Sequence, residues 1–178
     1  MTDFPLTDYI PGLRRYARSL TGDAWKADDL VQDTLERACS KWRLWVVGSD
    51  LRAWLFTLMH NVYVNQVRSA VRQSSAGVAV AVDDVEHELV APEAGDAQAI
   101  DLQRCLLRLP EEQRVVLLLV SLEDLSYEEV AKITGVPVGT VMSRLSRARS
   151  RLRELMDNPA TPALPAQAAS PAVLRRMK

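Results

Sequence analysis

LSYEEVAKITGVPVGTVMSRLSRARSRLRE, residues 125–154, decides the fold. Ser126 and Glu129 have the spacing of a capping box, which opens a short helix over SYEEVAKIT. Gly135 ends that helix, because glycine takes the left-handed conformation at a helix C-terminus cheaply. Val136-Pro137-Val138-Gly139 then turns the chain, and Thr140 is placed to cap a second helix. On a wheel at about 100° per residue, Val141, Leu145, Ala148, Leu152 and Leu155 fall within about 40° of one direction. That stripe must pack inward. Met142, Ser143, Ser146, Arg147, Ser150 and Arg153 face outward, and Arg144, Arg149 and Arg151 flank the stripe.

Residues 137–154 hold five arginines and one glutamate, in a chain whose formal charge is only −1. Small serines let a helix backbone come close to a surface, and arginine can bond bidentately to guanine O6 and N7. Flanking arginines reach phosphates, which position a helix without reading sequence. The plainer reading is that cations near a helix C-terminus complement its dipole, or pair with Glu128 or Glu129. Joined to the capped helix and the glycine turn, the pattern is a helix-turn-helix whose second helix reads DNA.

The net charge hides an asymmetry. No Lys or Arg occurs from Gln73 to Gln103, where Asp83, Asp84, Glu86, Glu88, Glu93, Asp96 and Asp101 lie. Apart from those seven acids, the chain carries 22 basic and 16 acidic residues. Residues 72–98 lack a sustained helical period, although GVAVAV alternates like a short strand. They read as a flexible acidic linker.

Before the linker, three helical stretches fill the first 71 residues: Thr7 to Leu20, a second from Asp23, and a third from Asp50. Both aspartates are N-cap candidates. Leu30, Val31, Leu35 and Ala38 give the second helix an apolar face. Leu51, Leu55, Leu58 and Val62 do the same for the third. After the linker, a helix over Ala99–Leu109 precedes Pro110 at position N1 of a helix through EEQRVVLLLVSLE. Beyond Asp157 four prolines among alanines cannot build a core, and residues 158–178 read as a disordered tail.

Several function classes are excluded. No apolar run approaches the ~18 residues that span a bilayer, and MTDFPLTDYIPGLRR is no signal peptide, so the chain is expected in the cytoplasm. Cys39 and Cys105 match no disulfide or metal spacing and read as reduced core residues. His60 reads as packing or surface, and His87 falls in the linker. No Gly-rich phosphate loop, paired His and nucleophile, or metal cluster is present, so neither an enzyme nor a cofactor is expected.

Residues 125–154 resemble region 4 of the extracytoplasmic-function (ECF) sigma factors of bacterial RNA polymerase. DDLVQDTLERA resembles region 2.2, LRAWLFTLMHNVYVNQVRS resembles regions 2.3 and 2.4, and LPEEQR also fits. The resemblance implies an all-α chain of two small helical domains. Region 2 would occupy residues 1–71, the linker 72–98 and region 4 residues 99–157. It also implies binding to core RNA polymerase (β′ and β subunits), recognition of −35 and −10 promoter elements, and control by an anti-sigma factor. Asp29, Gln32 and Asp33 would face a coiled coil of the β′ clamp. They lie at i, i+3 and i+4 on one polar face. The −10 element would be read by Trp54, Asn61, Asn65 and Arg68, with the loop RLWVVGSD forming part of a base pocket. Asparagine offers both a donor and an acceptor to base edges. Trp42, Trp45, Trp54, Phe56 and Tyr63 are half of the ten aromatics, with core packing as the plainer role for most of them. The −35 element would be read by Met142, Ser143, Arg144, Ser146, Arg147 and Arg149. Two rivals remain: a sigma mimic that sequesters an anti-sigma factor, and a simple helix-turn-helix regulator.

Overall fold

The computed structural model describes residues 5–45, 49–75 and 97–158. Residues 76–96, with GVAVAV, His87 and most of the linker, lie outside that set, as do Val46–Gly48 of the pocket loop and the tail from residue 159. The described residues form seven α-helices and two short 3₁₀ turns. The helices are α1 (Ile10–Thr21), α2 (Ala24–Ser40), α3 (Leu51–Ser75), α4 (Ala97–Leu107), α5 (Glu111–Ser121), α6 (Tyr127–Thr134) and α7 (Val138–Asp157).

Local chemistry sets most of the boundaries. The Asp23 carboxylate accepts from the N–H groups of Trp25 (2.8 Å) and Lys26 (3.0 Å), capping α2. Asp50 does the same for α3, accepting from Arg52 and Ala53. Ser126 and Glu129 form the reciprocal capping box of α6, and Gly135 closes that helix at φ 70°.

Several boundaries differ from expectation. The first helix starts at Ile10 rather than Thr7, after a 3₁₀ turn over Pro5–Tyr9. Pro11 lacks the N–H that would bond back to residue 7, so an α-helix cannot run unbroken through it. Pro110 sits at the N-cap of α5 rather than at N1, because its ψ of 140° is extended. Thr140 does not cap α7. Pro137 takes the N-cap position with ψ 150°, and Thr140 is already inside the first turn, its N–H bonded to Pro137 O. The VVLLLV run is helical, and α3 continues four residues past the expected boundary at 71.

The described elements are all helical, as the all-α reading expects; α1–α3, before the undescribed residues 76–96, are here called the first unit and α4–α7, after them, the second. The two units pack against each other around one buried apolar cluster. It takes Leu13, Tyr16, Leu55 and Met59 from the first unit and Val116, Leu119, Val130 and Val141 from the second. Tyr16 meets Phe56 edge-on, with centroids 5.4 Å apart. Across the seam, Gln103 Nε2 donates to Ser19 O (3.2 Å) and Arg114 Nη2 donates to the Tyr63 hydroxyl (3.3 Å). Gly22, at φ 72°, ends α1 and lies under Leu107 of α4; a Cβ there would run into the Leu107 methyls.

Glu123, between α5 and α6, is the one buried charged residue among the described residues, at 1% exposure. Arg15 Nη2 (3.0 Å) and Arg52 Nη2 (2.9 Å) both bridge to it from the first unit. Arg52 also lies 5.8 Å from the Phe56 ring centroid, a cation–π contact that aims it at the seam.

Candidate nucleic-acid and polymerase interface

Helix α7 divides as its sequence wheel requires. Val141, Leu145, Ala148 and Leu155 are buried, and Leu152 is half-buried. Met142, Ser143, Ser146, Arg147, Ser150 and Arg153 are exposed on the other side. Ser143 Oγ donates to Thr140 O (3.0 Å), which tucks its side chain against the helix and leaves that part of the face low. Arg147, Arg149 and Arg153 make no ion pair among the described residues, whereas Arg151 pairs with Glu154 at 3.1 Å. A shallow depression beside this face is lined by Tyr127, Met142, Ser146, Arg149 and Arg153.

Arg144 departs from the phosphate-contact expectation. It is drawn to Glu112 at 2.6 Å and is only 21% exposed, so in this state its charge is already answered. Neither Glu128 nor Glu129 takes an α7 arginine: Glu129 is committed to the cap of its own helix.

On α3, Asn61, Asn65 and Arg68 are exposed, and their spacing of 4 and 3 puts them on one face. Trp54 is half-buried two turns before Asn61, edge-on to Trp42 (6.3 Å), which in turn packs on Trp45 (5.0 Å). Phe56 and Tyr63 are core residues, so three tryptophans and not five aromatics stand near this face. Asn65 lies outside the apolar stripe.

On α2, Asp29, Gln32 and Asp33 are all exposed along one line. Asp33 accepts from Gln66 Nε2 of α3 at 3.0 Å, and Gln32 reaches Glu36 at 3.4 Å. An open groove runs beside them between α1 and α2, with Ile10, Val31, Leu35 and Cys39 as its floor and the Arg14–Asp28 pair (3.1 Å) on its rim. Cys39 is thus exposed, against the expectation of a core residue; Cys105 is buried, and both are free.

Between the units lies a cavity of about 290 Å³ lined by His60 and Arg68 of α3, Glu111 and Glu112 of α5, Thr134 and Arg144. Burial, and then the nearby Arg144 charge, push the His60 pKa below its ordinary value, so its neutral form is favoured here. Burial raises the Tyr63 pKa, partly offset by the hydrogen bond from Arg114.

Sequence reasoning did not find Glu123, whose partners are more than seventy residues away, nor Trp25, which is 79% exposed at the start of α2. No helix among the described residues is long and apolar enough to cross a membrane, and no His/Cys/Asp/Glu group there could hold a metal ion.

Residues 6–60 match a family described as the Sigma2 domain of PhyR, and residues 99–152 match Sigma-70, region 4. The chain is 37% identical over 166 residues to the ECF RNA polymerase sigma factor EcfG of Rhodopseudomonas palustris, covering 85% of this chain and 87% of that protein. It is 33% identical over 144 residues to the ECF RNA polymerase sigma factor SigM of Mycobacterium tuberculosis, covering 81% and 71%. Among solved structures it resembles the sigma factor RpoE of Bartonella quintana in complex with the anti-sigma factor NepR. That match has a TM-score of 0.76 and 37% identity and covers 86% of this chain and 94% of that one.

Proposed function

The chain belongs to the ECF RNA polymerase sigma factors, and from that premise we propose how its surfaces bind core polymerase and direct it to promoters. The observation that carries this reading is the outward face of α7: small or flexible residues at 142, 143 and 146, with unpaired Arg147 and Arg149 beside them. That face fits a major groove at the −35 element. Arg147 is placed to contact a base edge, and Arg149 a phosphate.

The −10 element falls to α3. Asn61 and Asn65 present donors and acceptors to exposed base edges, Arg68 reaches the backbone, and half-buried Trp54 offers an aromatic ring on which a base can stack. The polar line Asp29, Gln32 and Asp33 on α2 docks the polymerase. Its three side chains point to solvent, and Gln66 holds Asp33 in place without burying it. Residues 1–71 and 99–157 supply these two functions, with residues 72–98 as their tether. Like other sigma factors the chain carries no catalysis of its own. It works in the cytoplasm with the polymerase and is controlled by an anti-sigma factor, the kind of partner seen on its structural neighbour.

A second reading, a mimic that only occupies an anti-sigma factor, draws on the match of residues 6–60 to the PhyR Sigma2 domain. A mimic has no use for unpaired arginines on α7. Run-off transcription with core polymerase on promoter fragments from the source genome tests the two. Specific transcripts that require the protein are expected. Tight anti-sigma binding with neither transcripts nor core binding would favour the mimic.

A further inference from the structure

The acids of α2 differ in how their charge is answered. Asp28 pairs with Arg14 at 3.1 Å. Asp29 and Asp33, the two acids of the docking line, pair with no cation among the described residues. Asp33 is nevertheless held. Gln66 Nε2 of α3 donates to its Oδ2 at 3.0 Å, across 33 positions of sequence. A carboxylate only accepts, so the amide must turn its N–H side toward Asp33. Gln32, between the two acids, is steadied within its own helix, donating to Glu36 at 3.4 Å.

Asp33 adjoins buried Thr34, and Gln66 lies one turn beyond buried Val62, so both stand where packed helix faces meet water. The chemistry of the pair matters more than its strength. A lysine or arginine at position 66 would reach the same carboxylate and cancel its charge. A neutral amide orients the carboxylate and leaves the charge for something else. Each carboxylate oxygen has two lone pairs, so Asp33 can still take a guanidinium or an ammonium while Gln66 stays in place. An exposed side chain that must be ordered on binding costs affinity. Asp33 is ordered beforehand.

We propose that Gln66 is a positioning residue for polymerase docking: without touching the polymerase, it presents Asp33 pre-oriented and with its charge unanswered to a cationic side chain there. This deepens the reading of Asp29, Gln32 and Asp33 as the docking line and depends on it. Affinity for polymerase is then set partly by a residue of α3, the helix that also carries the −10 set.

The test binds the full chain to immobilised core RNA polymerase with no DNA present, because Gln66 adjoins Asn65 of the −10 set. Gln66→Ala should weaken binding about fivefold and leave the thermal midpoint unchanged, since both Gln66 and Asp33 are exposed. Gln66→Glu should weaken binding at least as much, because its carboxylate repels Asp33 from its position. The same variant adds a negative charge to a surface that meets cations, so a role in charge alone predicts tighter binding instead. Asp33→Ala should weaken binding about tenfold, and adding Gln66→Ala to it should cost nothing further. Tighter binding by Gln66→Glu would overturn the positioning role. So would a Gln66→Ala loss of equal size in the Asp33→Ala background. Unchanged binding by Asp33→Ala would remove Asp33 from the interface and the proposal with it, while leaving the sigma-factor reading intact. A parent that does not bind core polymerase would refute that reading, and the positioning role would fall with it.

Discussion

Two sets of arginines in this molecule have the same chemistry and opposite circumstances. Arg147, Arg149 and Arg153 stand in water on α7 without an ion pair among the described residues, while Arg15, Arg52 and Arg144 are each held by a glutamate from a different element. The difference is where a carboxylate lies within reach. Helix α7 carries its only acids, Glu154 and Asp157, near its end, and its arginine-bearing face points away from the core, so those outer charges stay available. Glu123, from the α5–α6 connection, and Glu112, from α5, lie within reach of the other three, and those arginines become structure. Counting basic residues finds both sets. Only the fold says which are free to meet phosphate.

The contrast can be broken most forcefully at the seam. Replacing Arg15 and Arg52 together by Gln strands a buried carboxylate and should lower stability by about 3 kcal/mol. Urea unfolding of the full chain measures it. The matching pair Arg147→Ala with Arg149→Ala should stay within about 0.5 kcal/mol of the parent. Equal losses from both pairs would erase the distinction.

DNA binding should reverse the ranking. Arg147→Ala should weaken binding to a promoter duplex by about 1–3 kcal/mol while leaving a random duplex little affected, as fluorescence anisotropy would show. Equal losses on both duplexes would make it a phosphate contact, and the salt slope would then fall by about 1. A smaller effect should come from Ser126→Ala. It removes the cap of α6 and should cost about 1 kcal/mol of stability, with no base preference altered.

The smallest effect concerns pH. His60 shares its cavity with Arg144, Arg68, Glu111 and Glu112, and its pKa is lowered in the closed fold. A lowered pKa means that the unfolded chain binds the proton more readily. The folded state is therefore fully supported above about pH 6.5 and loses stability as pH falls below that through the lowered value. His60→Gln should flatten this slope in unfolding curves taken between pH 7.5 and pH 5.5. A slope unchanged by the substitution would assign it to another group.

Much of the fold was legible because its signals are local. Asp23, Asp50, Ser126 with Glu129, and Gly135 each act within one turn of the chain, and each does what its spacing demands. The periodicity of α7 gave both of its faces, since burial repeats with the helix. The misreadings have physical causes too. Thr140 was a plausible cap, but Pro137 fixes φ and starts the helix three residues earlier. Cys39 looked like core from its residue type, yet it lies one position past the buried Ala38 and so turns outward. The seam was invisible because nothing near Glu123 in sequence distinguishes it from the surface acids around it. Its role depends on two arginines in another unit, and no local period records that pairing.

Gly22 draws its constraints from both units at once. Its left-handed φ is required to end α1, and its missing side chain is the floor on which Leu107 of α4 rests. The two units are thus not interchangeable parts. A chimera that took α1–α3 from a relative bearing any side chain at this position would keep two sound helical modules and lose the fit between them. Recombination among such proteins is restricted less by what each module recognises than by one hydrogen atom where another residue would have a methyl.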